Sequence, residues 1–222
     1  MAGATPRARA REQVRGLYAI TPDGLDDAAL LSRTEAALEG GARLVQYRDK
    51  SSDPARRRGQ ATSLLSLCVR HGATLVINDD LGLALDIGAH GVHMGRGDGD
   101  LREARRLLGA DRLLGASCYA DIGLARAALA AGADHVAFGA AYTSGTKPGA
   151  KPAGIGVYRE ARAVLDAPIV AIGGITPANA QPLLDAGVDA LAVVGALYDA
   201  FDAAGVRAAA RSFANLFRNP IP

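Results

Sequence analysis

At 222 residues the chain fits one domain with a sizeable core. A formal net charge of +2 is too small to argue for nucleic acid or an anionic membrane as partner, and no apolar run approaches the ~20 residues that span a bilayer. Hydrophobic residues make up 49% and aromatics 5%, with no Trp, so the core has to be built from Val, Ile, Leu and Ala. That is the usual filling of parallel α/β architectures, in which both faces of each strand are covered.

Met1 to Arg15 is rich in Ala and Arg, lacks the apolar block of a secretory signal, and reads as a flexible tail before a domain over 16–222. From Gly16 onward one pattern repeats: a short aliphatic run, a polar or glycine-rich loop, then an amphipathic stretch. The runs are Gly16–Thr21, Ala42–Arg48, Thr74–Asn78, Gly91–Met94, Leu113–Ser117, His135–Gly139, Ile169–Gly173 and Ala190–Val194. Their spacing of roughly 20 to 30 residues is that of βα units in a small barrel. Between them, Leu31, Thr34 and Leu38, and later Val206, Ala210, Phe213 and Phe217, follow the spacing of one buried helical face. Glycines in Gly41-Ala42, Gly72-Ala73, Gly132-Ala133 and Gly187-Val188 sit where helices should stop. These features predict an α/β protein with a single (βα)8 TIM barrel. A doubly wound open sheet is the alternative, but the first run ends Ile20-Thr21-Pro22-Asp23 without the glycine-rich phosphate turn of that fold. Cys68 and Cys118 have no metal-ligand spacing and read as buried free thiols, so a reducing, cytoplasmic location is expected.

In a barrel of this kind chemistry gathers at the carboxyl ends of the strands. The second run ends Gln46-Tyr47-Arg48-Asp49-Lys50, where alternation puts Gln46, Arg48 and Lys50 on one face. Such a series suits an anionic ligand; the competing reading is a barrel-floor salt bridge, with Arg48 paired to a carboxylate from a neighbouring strand. The third and fourth runs lead into Asp79 and Asp98, a pair of carboxylates suited to Mg²⁺, although Gly97-Asp98-Gly99-Asp100 also makes a good turn and helix N-cap. His90 and His93 fall on opposite strand faces without a Cys, which disfavours zinc, and His93 reads as a hydrogen-bonded mouth residue. The loop after the sixth run carries Ser144, Thr146 and Lys147, a composition that can wrap an anion. Gly173-Gly174 and Val194-Gly195 close the seventh and eighth runs, where barrels often bind phosphate through backbone N–H groups; helix-packing glycines are the alternative. Two anion sites thus face one another, and no nucleophile–base pair accompanies them.

Gln46-Tyr47-Arg48-Asp49-Lys50, Ile77-Asn78-Asp79, Gly91-Val92-His93-Met94-Gly95, Gly115-Ala116-Ser117, Val136-Ala137-Phe138-Gly139, Thr146-Lys147-Pro148 and Val170-Ala171-Ile172-Gly173-Gly174-Ile175 resemble the motifs of the thiamine-phosphate synthase family. They stand in its order and at its spacing between about Gly16 and Asp199. The resemblance implies an enzyme that joins a hydroxymethylpyrimidine diphosphate to a thiazole phosphate, with release of pyrophosphate and Mg²⁺ as cofactor. By matching position, Gln46, Arg48, Lys50, Asn78, Ser117 and Lys147 would hold the diphosphate substrate, with Tyr47 and Asp49 of the same motif among the candidate contacts. Arg48, Lys50, Ser117 and Lys147 would serve catalysis and Asp79 and Asp98 the metal. Ser144, Thr146, Gly174 and the backbone of Val194 and Gly195 would hold the thiazole phosphate. Departures from the commonest pattern include Asp49 for Glu, His90 for Asp, Arg96 for Gln, Cys118-Tyr119 for a pair such as His-Thr, Ser144 for Thr and Gly195 for Ser. A thiazole tautomerase on the same barrel is a rival reading, opposed by the retained Asn78-Asp79, Asp98 and Lys147. A non-catalytic sensor of phosphorylated ligands is another.

Overall fold

The computed structural model describes residues 6–143 and 153–218. Its strands are β1 (Gly16–Ile20), β2 (Leu44–Tyr47), β3 (Thr74–Asn78), β4 (Gly91–Met94), β5 (Leu113–Tyr119), β6 (His135–Gly139), β7 (Ile169–Ile172) and β8 (Ala190–Val193). All pair in parallel and in sequence order, and β8 returns to β1 to close the barrel. The open sheet is thereby excluded. The helices are α1 (Pro6–Gln13), α2 (Asp27–Glu39), α3 (Pro54–Arg70), α4 (Leu81–Ile87) and α5 (Leu101–Leu108). They continue with α6 (Ile122–Ala130), α7 (Gly154–Val164), α8 (Gln181–Asp185), α9 (Gly195–Tyr198) and α10 (Ala203–Leu216).

Strand alternation divides the core in two. Leu17, Ala19, Val45, Leu75, Ile77, Val92 and Phe138 turn outward into the layer under the helices. Tyr18, Ile20, Leu44, Val76, Leu113, Ala137, Val170 and Ala192 turn inward and fill the barrel. Both cysteines are buried and free, as expected, and burial pushes each thiol up to about 12. The glycines ahead of the strands stop their helices with positive φ, Gly187 at 87° for example.

Aspartate side chains open most of the longer helices. Asp26, Asp53, Asp80, Asp100, Asp121 and Asp202 each accept a backbone N–H from the first turn of the helix that follows. Within Gly97-Asp98-Gly99-Asp100 the cap and the turn fall to different residues, Asp98 closing a turn onto the Gly95 N–H. Asp100 is the cap, and Asp98 does not cap the helix.

Of the flexible tail expected over 1–15, residues 1–5 lie outside the described residues. Residues 6–13 form α1, and Ala10 and Val14, at 1% and 0% exposure, join the cluster inside the barrel. Arg9 Nη1 donates to the carbonyl and carboxylate of Asp111, at 3.1 and 2.8 Å, and Arg11 pairs with Asp166. Asp111 and Asp166 precede β5 and β7, so α1 closes the amino-terminal end of the barrel. Apolar burial, rather than local helix propensity, accounts for its order.

Candidate active site

At the end of β2 the alternation holds. Gln46 is buried inside the barrel, and its Nε2 donates to the Tyr18 hydroxyl at 2.8 Å. Arg48 lies beyond it. Its backbone N–H donates to Thr21 Oγ1 at 2.9 Å, and that hydroxyl donates to the Arg48 carbonyl at 3.1 Å, which ties the ends of β1 and β2. Asp23 then does double work. One oxygen pairs with Arg48 Nη1 at 2.5 Å, and the other accepts the Lys50 backbone N–H at 3.0 Å. Arg48 thus has a carboxylate partner, but it comes from the turn after β1 rather than from a neighbouring strand at the barrel floor. Asp23 is absent from the expected set; the turn Thr21-Pro22-Asp23 after β1 was its only sequence signal.

Tyr47 and Asp49 lie on the other side of the strand. The Tyr47 hydroxyl donates to Gln60 Oε1 of α3 at 2.9 Å and lies 3.3 Å from Asp49 Oδ2, the two oxygens sharing its one proton. Asp49 also accepts from the backbone and hydroxyl of Ser51. Burial pushes the Asp49 carboxyl up, but the Ser51 hydrogen bonds, the Arg56 charge and the Tyr47 hydroxyl outweigh it and hold the group below its usual range. Their partners are protein groups in the helix layer, so this structure does not bring Tyr47 and Asp49 to the mouth. The physical reason is the two-residue period of the strand.

Strands β3, β4 and β5 place the carboxylates. Asp79 has φ 63°, an uncommon conformation for a residue with a side chain, and its N–H donates to the His93 carbonyl at 2.8 Å. Asn78 Nδ2 donates to Asp79 Oδ2 at 2.6 Å. Asp98 Oδ2 accepts the Gly95 N–H at 2.7 Å. Burial and the neighbouring Asp98 carboxyl raise the Asp79 pKa to about 6, against the opposing effects of Asn78 and Lys50. Two carboxylates close enough to contest a proton are a site that favours a cation between them. No group of three or more His, Cys, Asp or Glu side chains suited to a metal occurs among the described residues. A two-carboxylate site fits Mg²⁺, which keeps positions for water and phosphate, better than a metal needing a full protein cage. His93 Nε2 lies 2.9 Å from Ser117 Oγ, and burial lowers the His93 pKa to about 4. The expected role of His93 as a hydrogen-bonded mouth residue thus has a partner.

The opposite half is built from backbone. Gly173 and Gly174 have φ of 103° and 64°. A Cβ on Gly174 would stand 2.4 Å from the Thr143 carbonyl oxygen, so the chain after β6 packs directly on this turn. Asn179, unforeseen in the sequence, braces it: Nδ2 donates to the Gly174 carbonyl at 2.9 Å and Oδ1 accepts the Thr176 N–H at 2.8 Å. Val194 precedes the short helix α9, which begins at Gly195. A Cβ at Gly195 would come 2.7 Å from Asp199 Oδ2, the end of a side chain free to turn aside, so nothing in the structure explains glycine where serine is the commoner choice. Ser144, Thr146 and Lys147 lie outside the described residues.

A cavity of about 580 Å³ at the other end of the barrel is lined by Arg11, Arg105, Asp134 and Asp166 among others. Arg105 there donates to the Gly132, Gly109 and Arg112 carbonyls and to Asp134, a structural clamp. The convergent carboxylates and hydroxyl are all at the mouth.

A sequence model of the family described as thiamine monophosphate synthase matches residues 17–197. The thiamine-phosphate synthase of Chromobacterium violaceum is 58% identical over 205 residues, which cover 92% of this chain and 97% of that protein. That of Thiobacillus denitrificans is 54% identical, covering 91% and 94%. Among solved structures, a thiamine phosphate pyrophosphorylase from Pyrococcus furiosus superposes with a TM-score of 0.83 at 28% identity, over 96% of this chain and 99% of that one. With its motifs on the matching strand ends and the family's sequence spanning the whole barrel, this chain belongs to the thiamine monophosphate synthase family.

Proposed function

We propose that the chain is a thiamine-phosphate synthase, a transferase that moves a pyrimidinylmethyl group from its diphosphate ester to the ring nitrogen of a thiazole phosphate. The C–O bond to the diphosphate breaks with its electron pair on the departing pyrophosphate. The C–N bond forms from the thiazole nitrogen's lone pair, so no protein nucleophile or base is required. The juxtaposition of Asp79 and Asp98 beside Lys50 carries this reading, because it concentrates cation-binding capacity where a diphosphate would leave.

Arg48, fixed by Asp23 and Thr21, and Lys50, fixed through its backbone, are suited to hold the diphosphate without reorganising. Ser117, oriented by His93, and Asn78 add neutral donors, and Lys147 belongs to the same set through the family motif. Mg²⁺, held by Asp79 and Asp98, would supply positive charge to the diphosphate. Gly174 and Gly195 suit the thiazole phosphate because glycine leaves backbone N–H groups accessible, and Val194 would contribute through its backbone beside Gly195.

The decisive experiment follows pyrophosphate release with both substrates and Mg²⁺, omitting each in turn. Release that requires all three is the expected result. Isomerisation of the thiazole without pyrophosphate, or binding of both ligands without turnover, would overturn the proposal.

A further inference from the structure

On the rim between β4 and β5, the Arg96 guanidinium carbon lies 5.3 Å from the centre of the Tyr119 ring. Tyr119 is set by its backbone: β5 bulges between Ser117 and Tyr119, and Tyr119 takes φ 54°. That conformation is uncommon for an aromatic residue and holds the ring, 47% exposed, beside Arg96. Arg96 has no salt bridge or hydrogen bond among the described residues. Other arginines of the β2–β3 side each have a carboxylate partner, Arg48 in Asp23, Arg56 in Asp49 and Arg57 in Asp80. Arg96 thus brings an unneutralised guanidinium two residues before Asp98, and its aromatic support stands two residues after Ser117. An arginine stacked on a ring keeps its in-plane N–H donors free for phosphate oxygens, and stacking lowers the entropy lost on engaging them.

We propose that Arg96, positioned by Tyr119, recognises the outer phosphate of the diphosphate ester and thereby selects a diphosphate over a monophosphate in the β2–β5 half of the mouth. This rests on the proposed function of that site. Asn78, Asp79 and Ser117 occupy the strand ends, so a cation on the exposed loop meets the solvent-side end of a bound ligand. Arg96 stands where Gln is commoner in the family, and Tyr119 also departs from the commonest pattern.

The test titrates inorganic pyrophosphate and orthophosphate, each with Mg²⁺, into wild type, Arg96→Gln, Tyr119→Phe, Tyr119→Leu and the Arg96→Gln/Tyr119→Leu double variant. Arg96→Gln is expected to weaken pyrophosphate about 3- to 10-fold, as loss of one exposed cationic contact does, and orthophosphate less than about twofold. KM for the pyrimidine diphosphate should rise in step and more than kcat falls, with KM for the thiazole phosphate unmoved. Tyr119→Phe, which keeps the ring face, should bind as wild type. Tyr119→Leu should lose part of the affinity, and the double variant should be no weaker than Arg96→Gln alone. Unchanged pyrophosphate affinity in Arg96→Gln, equal weakening of orthophosphate, or additive losses in the double variant would overturn the assignment. Pyrophosphate binding without turnover of the two substrates counts against the proposed function alone. Turnover with an unaffected Arg96→Gln counts against Arg96 alone.

Discussion

Asp79 concentrates the chemistry of the mouth in one side chain. Its backbone is held in the left-handed region by the His93 carbonyl, and its carboxyl is clamped by Asn78 and pressed toward Asp98. The sequence marks it as one of three polar residues after an aliphatic run, but which aspartate faces the barrel is a matter of capping. Asp80 turns to α4 and leaves Asp79 at the mouth, as Asp100 turns to α5 and leaves Asp98. Asp79→Asn preserves shape and removes only the charge. Turnover should fall about 100-fold or more, the scale on which single groups stabilising a developing charge act. Thiazole phosphate should still bind the variant, since that half of the mouth is built from other strands. Steady-state rates and a direct titration of thiazole phosphate check both parts; retained turnover would remove Asp79 from the reaction.

At the level of elements, β2 shows how far simple periodicity reaches. The two-residue period puts Gln46, Arg48 and Lys50 on one face, and by the same rule Tyr47 and Asp49 on the other, where α3 receives them. Motif membership alone would have kept all five at the ligand. Helix α1 was illegible for the opposite reason. Two apolar residues, Ala10 and Val14, are too few to make a periodic signal, and their value appears only when the closed barrel offers them its floor. If α1 were a tail, Val14→Asp would change stability by less than about 0.5 kcal/mol. As a fully buried position it should instead cost about 3–5 kcal/mol, the penalty of placing an unpaired charge in an apolar site. Urea unfolding at neutral pH measures this. KM values should stay near wild type, because α1 and the mouth lie at opposite ends of the strands.

Across the whole molecule, the eight strands were legible because each is an aliphatic run too short for a helix and bounded by glycine or polar turns. Closure of the barrel is a cooperative property, and it creates environments that no single run announces. Gly115 leaves space inside the barrel that His93 and His135 fill from either side: a Cβ there would lie within 2.5 Å of both rings. His135 is fully buried against Tyr18 and His93, and neither ring nitrogen finds a hydrogen-bond partner among the described residues. Burial, helped by the neighbouring His93, lowers its pKa from 6.5 to about 3. Below pH 6.5 the unfolded chain therefore takes up a proton that the folded barrel refuses. The stabilisation attached to neutral His135 is full above about pH 6.5 and is lost progressively as the pH falls toward 3. One such proton tilts the unfolding free energy by at most about 1.4 kcal/mol per pH unit. His135→Leu, which fills similar space without a titrating group, should make the decline between pH 6 and pH 4.5 shallower by nearly that amount. His93 remains in both proteins, so the difference of their urea-derived slopes reads His135 together with its coupling to His93. Equal slopes would mean that the barrel interior accepts the imidazolium, and that the packing around Gly115 is looser than its distances imply.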